Sequence, residues 1–340
     1  MICPAARRTL PVALTLALTL ALTLSAVVAA PLSAQRVIPG LDAAGMDTTV
    51  RPGNDFYRYA NGNWDRHTQI PPDKSSYGGF NIAGDHAEQQ LIAVVHGAAA
   101  AHAPAGSELR KIADYYTGFL DTSAIAARGT VPIRSLLDSI ASLRDRVALA
   151  HFLGAHMAAD VDPINLGNLH TDNLFGLWVA QDFNHPTRNV AALLQGGLEL
   201  PDRSYYLDNS SNMTTLRAAY RAHVARMLTL AAVPDPAATA DSIIALETRI
   251  AQTHWKVEDS EDPLKGNNHW ARKDFARKAP GLDWDAFFAA ARLAGQDSLV
   301  AWQPSAITGI SALVASAPLS SWKALLAYHA IDDHAAVLPP

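Results

Sequence analysis

VRPGNDFYRYANGNWDRHTQIPPDKSSYGGF, residues 50–80, narrows the fold of this chain more than any other stretch. Pro52-Gly53 predicts a turn, after which Asn54 or Asp55 can cap the N-terminus of a short helix. Phe56, Tyr57 and Tyr59 place aromatic rings on that helix. Asn61-Gly62 is expected to end it, because both residues tolerate positive φ. Trp64 follows, and Pro71-Pro72 halts regular structure. The elementary reading is an aromatic elbow that packs tightly and carries no chemistry of its own.

A second dense stretch, QGGLELPDRSYYL, covers residues 195–207. Gln195-Gly196-Gly197 has no phosphate-loop pattern around it, so its glycines read as close backbone packing. Sparser landmarks follow: Glu247 to Trp255, Leu282-Asp283-Trp284, Trp302-Gln303-Pro304 and Pro318 to Lys323. Together these strings resemble the N-terminal half of the neprilysin-like zinc metallopeptidases, the group of neprilysin, endothelin-converting enzyme and bacterial oligopeptidase O. That family opens on R-P-G-D-D-F-Y-x-Y-x-N-G-x-W, then I-P, then Y-G-x-F, and later carries Q-G-G-L-G-L-P-D-R-x-Y-Y. The positions here that match are Arg51, Pro52, Gly53, Asp55, Phe56, Tyr57, Tyr59, Asn61, Gly62, Trp64, Tyr77, Gly78 and Phe80. In the second block they are Gln195, Gly196, Gly197, Pro201, Tyr205 and Tyr206. All nineteen are signature positions with structural roles; none is expected to be catalytic.

The resemblance implies a mainly α fold with a minor β element: the multi-helix cap of a two-lobed, gluzincin-type metallopeptidase. It also implies zinc, held by both histidines of an H-E-x-x-H helix and a later Glu. Histidines four apart share one helical face and can grip one metal while the intervening Glu activates its water. The six glutamates here (88, 108, 199, 247, 258 and 261) never follow a histidine, so the motif is absent from these residues. No zinc is expected to bind this chain, and the implied peptide substrates would be met through a catalytic lobe beyond it. Chelator-sensitive activity from this chain alone is not expected. In animal members arginines near Y-G-x-F reach a peptide carboxylate; Ser76 and Gly84 stand at those positions here and cannot. The competing reading is a non-catalytic cap that binds peptides or a partner.

Arg7-Arg8 before the apolar run Leu10–Ala30, with Leu32-Ser33-Ala34 before Gln35, reads as an export signal. Cleavage is expected to leave no stable membrane anchor and no cysteine, since Cys3 lies upstream of the cut. Residues 1–34 are thus the signal, 35–48 a flexible linker, and 49–340 the metallopeptidase N-terminal domain, in a periplasmic or extracellular setting. A net charge of −5 without a basic run argues against nucleic acid as a partner.

Helical periodicity dominates the remainder. Ala87, Leu91, Val94 and Ala98 recur at helical spacing, as do Leu109, Ile112, Tyr116 and Phe119, with Ser107 as a cap. Leu216 to Leu228, Ile243 to His254, Phe287 to Leu293 and Trp322 to Ile331 follow the same rule. The best strand is Leu177–Phe183, with Ile164–Leu166 as its candidate partner. Pro234-Asp235-Pro236 and Asp262-Pro263 read as loops. The thirteen histidines include pairs five apart (151/156 and 329/334), which do not share a helical face. Asp332-Asp333 reads as a solvated helix end, His254-Trp255 as core packing, and no Gly-x-Ser-x-Gly marks a nucleophile. The signature aromatics and part of the Trp322 helix are expected to pack on the absent lobe, leaving a stable core between about Ala87 and Trp284.

Overall fold

The computed structural model describes residues 42–339 apart from 73, 75 and 166. The stretch read as an export signal, with its expected cleavage site, lies outside the described residues. The chain divides into two compact units, the first ending at Arg110 and the second running from Lys111 to the C-terminus.

The first unit holds α1 (Phe56–His67) and α2 (Gly79–Ala100). Asp55 caps α1 by accepting the Arg58 amide at 2.9 Å, as its position predicts. The helix does not end at Asn61-Gly62. Gly62 is buried within it, and a Cβ there would sit 2.9 Å from the Asp47 side chain. Glycine is kept here for close approach rather than for termination. Residues 42–48, within the stretch read as linker, are tied to α1: the Asp47 amide donates to Tyr59 O, and Gly45 O accepts from Asn63 and Trp64. Asp47 closes the contact through Arg66 at 2.8 Å. The Thr49 hydroxyl and the Arg66 guanidinium hold its carboxyl down at about 2. The face of α2 predicted from Ala87, Leu91, Val94 and Ala98 is a helix face, yet only Ala98 of the four is buried.

Helix α3 (Glu108–Leu120) leads on to α4 (Thr122–Arg128), α5 (Arg134–Ala141) and α6 (Arg146–Ala155). A hairpin follows, β1 (Phe175–Gln181) and β2 (Asn189–Gln195), then the single turn α7 (Ser204–Leu207). Two long helices, α8 (Ser211–Leu230) and α9 (Pro236–Thr253), precede the short α10 (Val257–Ser260) and α11 (Pro263–Gly266). Next come β3 (His269–Ala271), α12 (Phe275–Lys278), α13 (Trp284–Ala290) and β4 (Ser298–Ala301). The chain closes with α14 (Pro304–Ser316) and α15 (Leu319–Asp332). Pro236 and Pro304 each sit in a first helical turn, where a missing amide costs nothing. Pro263 does the same in α11, so the dipeptide read as a loop instead starts a helical turn capped by Asp262.

The sheet order is β1-β2-β4-β3, with β2 parallel to β4 and both outer pairs antiparallel. Strand β1 therefore pairs with β2, Phe175 opposite Gln195, and not with Ile164–Leu166. Ile164 lies in a turn, Leu166 is outside the described residues, and the short hairpin loop makes the nearer partner the favoured one. Both faces of β2 are covered. Ala191 and Leu193 enter the main core, while Ala192 and Leu194 join Val161, Val300 and Trp302 on the other side. Burial on both faces replaces the alternation that would have announced a strand.

Helix α9 is the hub, packing against α7, α8, α14 and α15. A second centre gathers Phe175, Phe275, Trp284, Phe287 and Phe288, with neighbouring ring centroids 4.9–5.7 Å apart. Gly154 lets α6 lie on α13, because any Cβ would stand 2.2 Å from Phe287 O. Trp322 is 1% exposed and Tyr328 fully buried within this unit. The expectation that part of the Trp322 helix packs on another lobe is thereby corrected: α15 is a core helix of the second unit. The core also reaches Leu338, well past Trp284.

Candidate functional site

The first signature block occupies the first unit. Arg51, Pro52 and Gly53 lie in the exposed turn before α1, closed by the Asn54 amide on Arg51 O. Phe56 and Tyr57 point outward at 70% and 66% exposure, whereas Tyr59 and Trp64 are half-buried. Asn61 donates to Tyr57 O. Tyr77 donates to Asp85, which Lys74 also holds at 2.6 Å. The Gly78 amide donates to Asn81 in the first turn of α2, and Phe80 is almost wholly exposed.

The second block lies in the second unit and organises it. The Gln195 side-chain amide grips Trp255 from both sides, accepting its amide at 2.7 Å and donating to its carbonyl at 3.2 Å. Its own amide donates to Gln303 Oε1. Gly196 passes so close to Asn173 O that a Cβ would stand 2.2 Å away, and Gly197 has φ +85°. Close packing is what the glycine pair is for. His254 is buried and neutral, its pKa lowered by burial to about 4, with Nε2 3.1 Å from Gly196 O. Pro201 is exposed, Tyr205 half-buried and Tyr206 buried, where its hydroxyl accepts the Leu200 amide.

These contacts deliver Glu199 to a buried ionisable knot that sequence reading did not foresee. Glu247 of α9, fully buried, accepts the Tyr220 hydroxyl on both oxygens at 3.0 and 2.9 Å, and the Glu199 amide at 3.2 Å. His329 of α15, 6% exposed, brings Nε2 to 3.6 Å from Glu247 and 3.9 Å from Glu199. Burial raises the Glu199 carboxyl to about 8, only partly offset by His329. Burial pulls the His329 pKa down, but the facing carboxyl groups of Glu247, then Glu199, outweigh it and raise it. Burial followed by the Glu247 charge raises Tyr220. At the end of α15, Asp332 takes His223 at 2.7 Å, and burial and Asp172 raise Asp333. The helix end read as solvated is thus built into the same network.

Signals for this knot were present. Glu247 stands on the apolar stripe of Ile243, Leu246 and Ile250, and Glu199 occupies a glycine position of the pattern it otherwise follows. A charge on a core stripe implies a partner from elsewhere in the chain.

Zinc does not fit these residues. Among the described residues no group of three His, Cys, Asp or Glu could hold a metal ion. In the knot, Glu247 already has both oxygens engaged by Tyr220. No step through a metal is derived from this chain.

Comparison with known proteins completes the picture. At 31% identity the fold superposes on a crystal structure of the zinc metalloprotease ZMP1 of Mycobacterium tuberculosis, TM-score 0.70, over 88% of this chain and 44% of that one. PepO of Lactobacillus rhamnosis, 18% identical with a TM-score of 0.55, shares the fold. Mouse endothelin-converting enzyme-like 1 is 27% identical over 71% of this chain, and Drosophila neprilysin-3 26% over 79%. The chain spans about a third of the length of these curated relatives, 31% and 35% respectively. A profile of peptidase family M13 matches residues 52–340. With a mainly helical fold and one small four-stranded sheet that together match half of an M13 peptidase structure, the chain belongs to peptidase family M13, as its N-terminal domain.

Proposed function

We propose that this chain is the N-terminal, substrate-restricting part of an exported zinc metallopeptidase acting on short peptides, with the zinc ligands supplied by polypeptide outside these 340 residues. The observation that carries this reading is the match of 88% of the chain to 44% of a zinc metalloprotease, without a His-Glu pair anywhere in the sequence. Phe56, Tyr57 and Phe80 add support, since outward aromatics at signature positions suit a surface covered by further polypeptide. The N-terminal arginines and apolar run support export.

The test is direct. The purified chain, incubated with zinc and short peptides, is expected to show no chelator-sensitive cleavage. Zinc-dependent turnover by these residues alone would overturn the assignment of catalysis to another segment. For export, intact-mass analysis of secreted protein is expected to give Gln35 as the first residue. Retention of residues 1–34 would replace the cleaved signal by an anchor.

A further inference from the structure

The second unit contains a cavity of about 640 Å³, between α5, the α8–α9 turn and α15, that none of the family signature positions lines. Its volume lies in the ordinary range of ligand pockets, roughly 300–1,000 Å³. The floor is hydrocarbon. Ile140 of α5, Leu228 of α8 and Ile331 of α15 are buried beneath it, and Leu137 and Val233 stand half-buried at its sides. Arg134 and Asp138 of α5 and Lys323 of α15 bring charge to the same walls.

We propose that this cavity binds an aliphatic monocarboxylate, its head on Lys323 and Arg134 and its chain on the apolar floor. Three features carry the inference. Lys323 is half-buried beside hydrocarbon, yet among the described residues its ammonium has no ion pair and no hydrogen bond, and the Arg134 guanidinium has none either. A charge partly withdrawn from water calls for a counter-charge, and an ammonium beside a guanidinium fork suits a carboxylate. Secondly, Asp138 is the only carboxylate on the described walls, so the lining carries one net positive charge. That balance matches a monoanion and disfavours a dianion beside Asp138. Thirdly, one wall is held in a specific shape. The α8–α9 turn keeps Ala232 at φ +54° and Asp235 at φ +46°, left-handed values that residues other than glycine rarely adopt. The Val233 amide on Leu228 O at 2.9 Å and the Thr239 hydroxyl on Pro234 O at 3.2 Å pin it there. A turn so pinned stands beside the cavity instead of folding into it.

The inference does not depend on the peptidase reading, and its test involves no cleavage. Isothermal titration of the full chain at about pH 7.5, where the carboxylate is ionised, would use sodium octanoate, with octylammonium chloride and sodium butanoate as matched probes. Saturable one-to-one binding of octanoate is expected, and none of octylammonium. Butanoate, which forgoes four buried methylenes, is expected to bind at least about tenfold more weakly. K323Q is expected to weaken octanoate binding about tenfold, the effect of losing one charge-assisted hydrogen bond. This variant gives up no ion pair or hydrogen bond of the described residues, so it should melt like the parent. D138N, which removes the one negative charge on the walls, is expected to tighten binding about threefold. A gain of that kind follows from the sign of the charge and not from a general loosening of the fold. Octanoate held by apolar surface elsewhere would ignore both substitutions. Equal binding of octylammonium, unchanged affinity in K323Q, or unchanged or weaker binding in D138N would each overturn the proposal. No saturable binding of octanoate would do so too, and would leave the cavity to be covered by further polypeptide.

Discussion

At the scale of single residues, the knot around Glu247 sets a pH dependence whose sign follows from its burial. Glu199, His329 and Asp333 all hold their protons more tightly when folded. Their contribution to stability is complete below their unfolded pKa values and is lost as pH rises through the folded ones. His254 acts oppositely: neutral when buried, it favours the fold above about 6.5 and penalises it as pH falls toward about 4. The two tendencies offset one another between about 4.5 and 6.5. From about 6.5 to about 8 only the first remains, and Glu199 contributes at most about 2 kcal/mol across that window. The melting temperature of the chain should therefore decline between those pH values, and E199Q should flatten the decline. A melting profile that rises over this range would contradict the assignment. Gln195→Leu strips both bonds to the Trp255 backbone as well as the polar partners of the amide, for an expected loss of about 2–4 kcal/mol in urea denaturation. Gly196→Ala forces a Cβ onto Asn173 O and should cost more than about 3 kcal/mol, measured as loss of soluble folded protein.

At the scale of elements, capping signals were reliable and terminating signals were not. Asp55 and Ser107 each cap the helix that their position announces, accepting the Arg58 and Arg110 amides. Asp55→Ala should lower the stability of the first unit by about 1 kcal/mol, read from amide exchange in α1. Asn61-Gly62 misled because a glycine buried for close approach looks, in sequence, like one placed to stop a helix. Strand β2 was invisible for a related reason: with both faces covered, Val190 to Leu194 is an apolar run without alternation. Helix α15 reverses an expectation about surfaces. Trp322 fills the core between α15 and its neighbours, so Trp322→Ala should cost about 3–5 kcal/mol even in the isolated chain. A mild effect would return that helix to the role of a docking face.

For the whole molecule, the boundary near Arg110 predicts behaviour under protease. Limited proteolysis should leave a resistant fragment that begins near Lys111 and extends through α15, with the core reaching Leu338. In the first unit, exposed Phe56, Tyr57, Phe80, Leu91 and Val94 offer an apolar surface that favours self-association. Size-exclusion chromatography should show concentration-dependent association that is relieved when residues before Lys111 are removed. Persistence of association in the shorter fragment would move the sticky surface into the second unit.

Some of this was fixed by local order alone. The Arg51–Phe80 and Gln195–Tyr206 strings carry the family by themselves, and helical periodicity carries the fold class, because turns, caps and amphipathic spacing are set by near neighbours in the chain. The burial of α15, the pairing of β1 with β2, and the meeting of Glu199, Glu247 and His329 across more than a hundred residues were decided only by tertiary packing. A carboxylate on a core stripe reveals that it needs a partner, but which partner depends on where distant helices cross. That crossing is settled by the summed burial of side chains and not by any one segment.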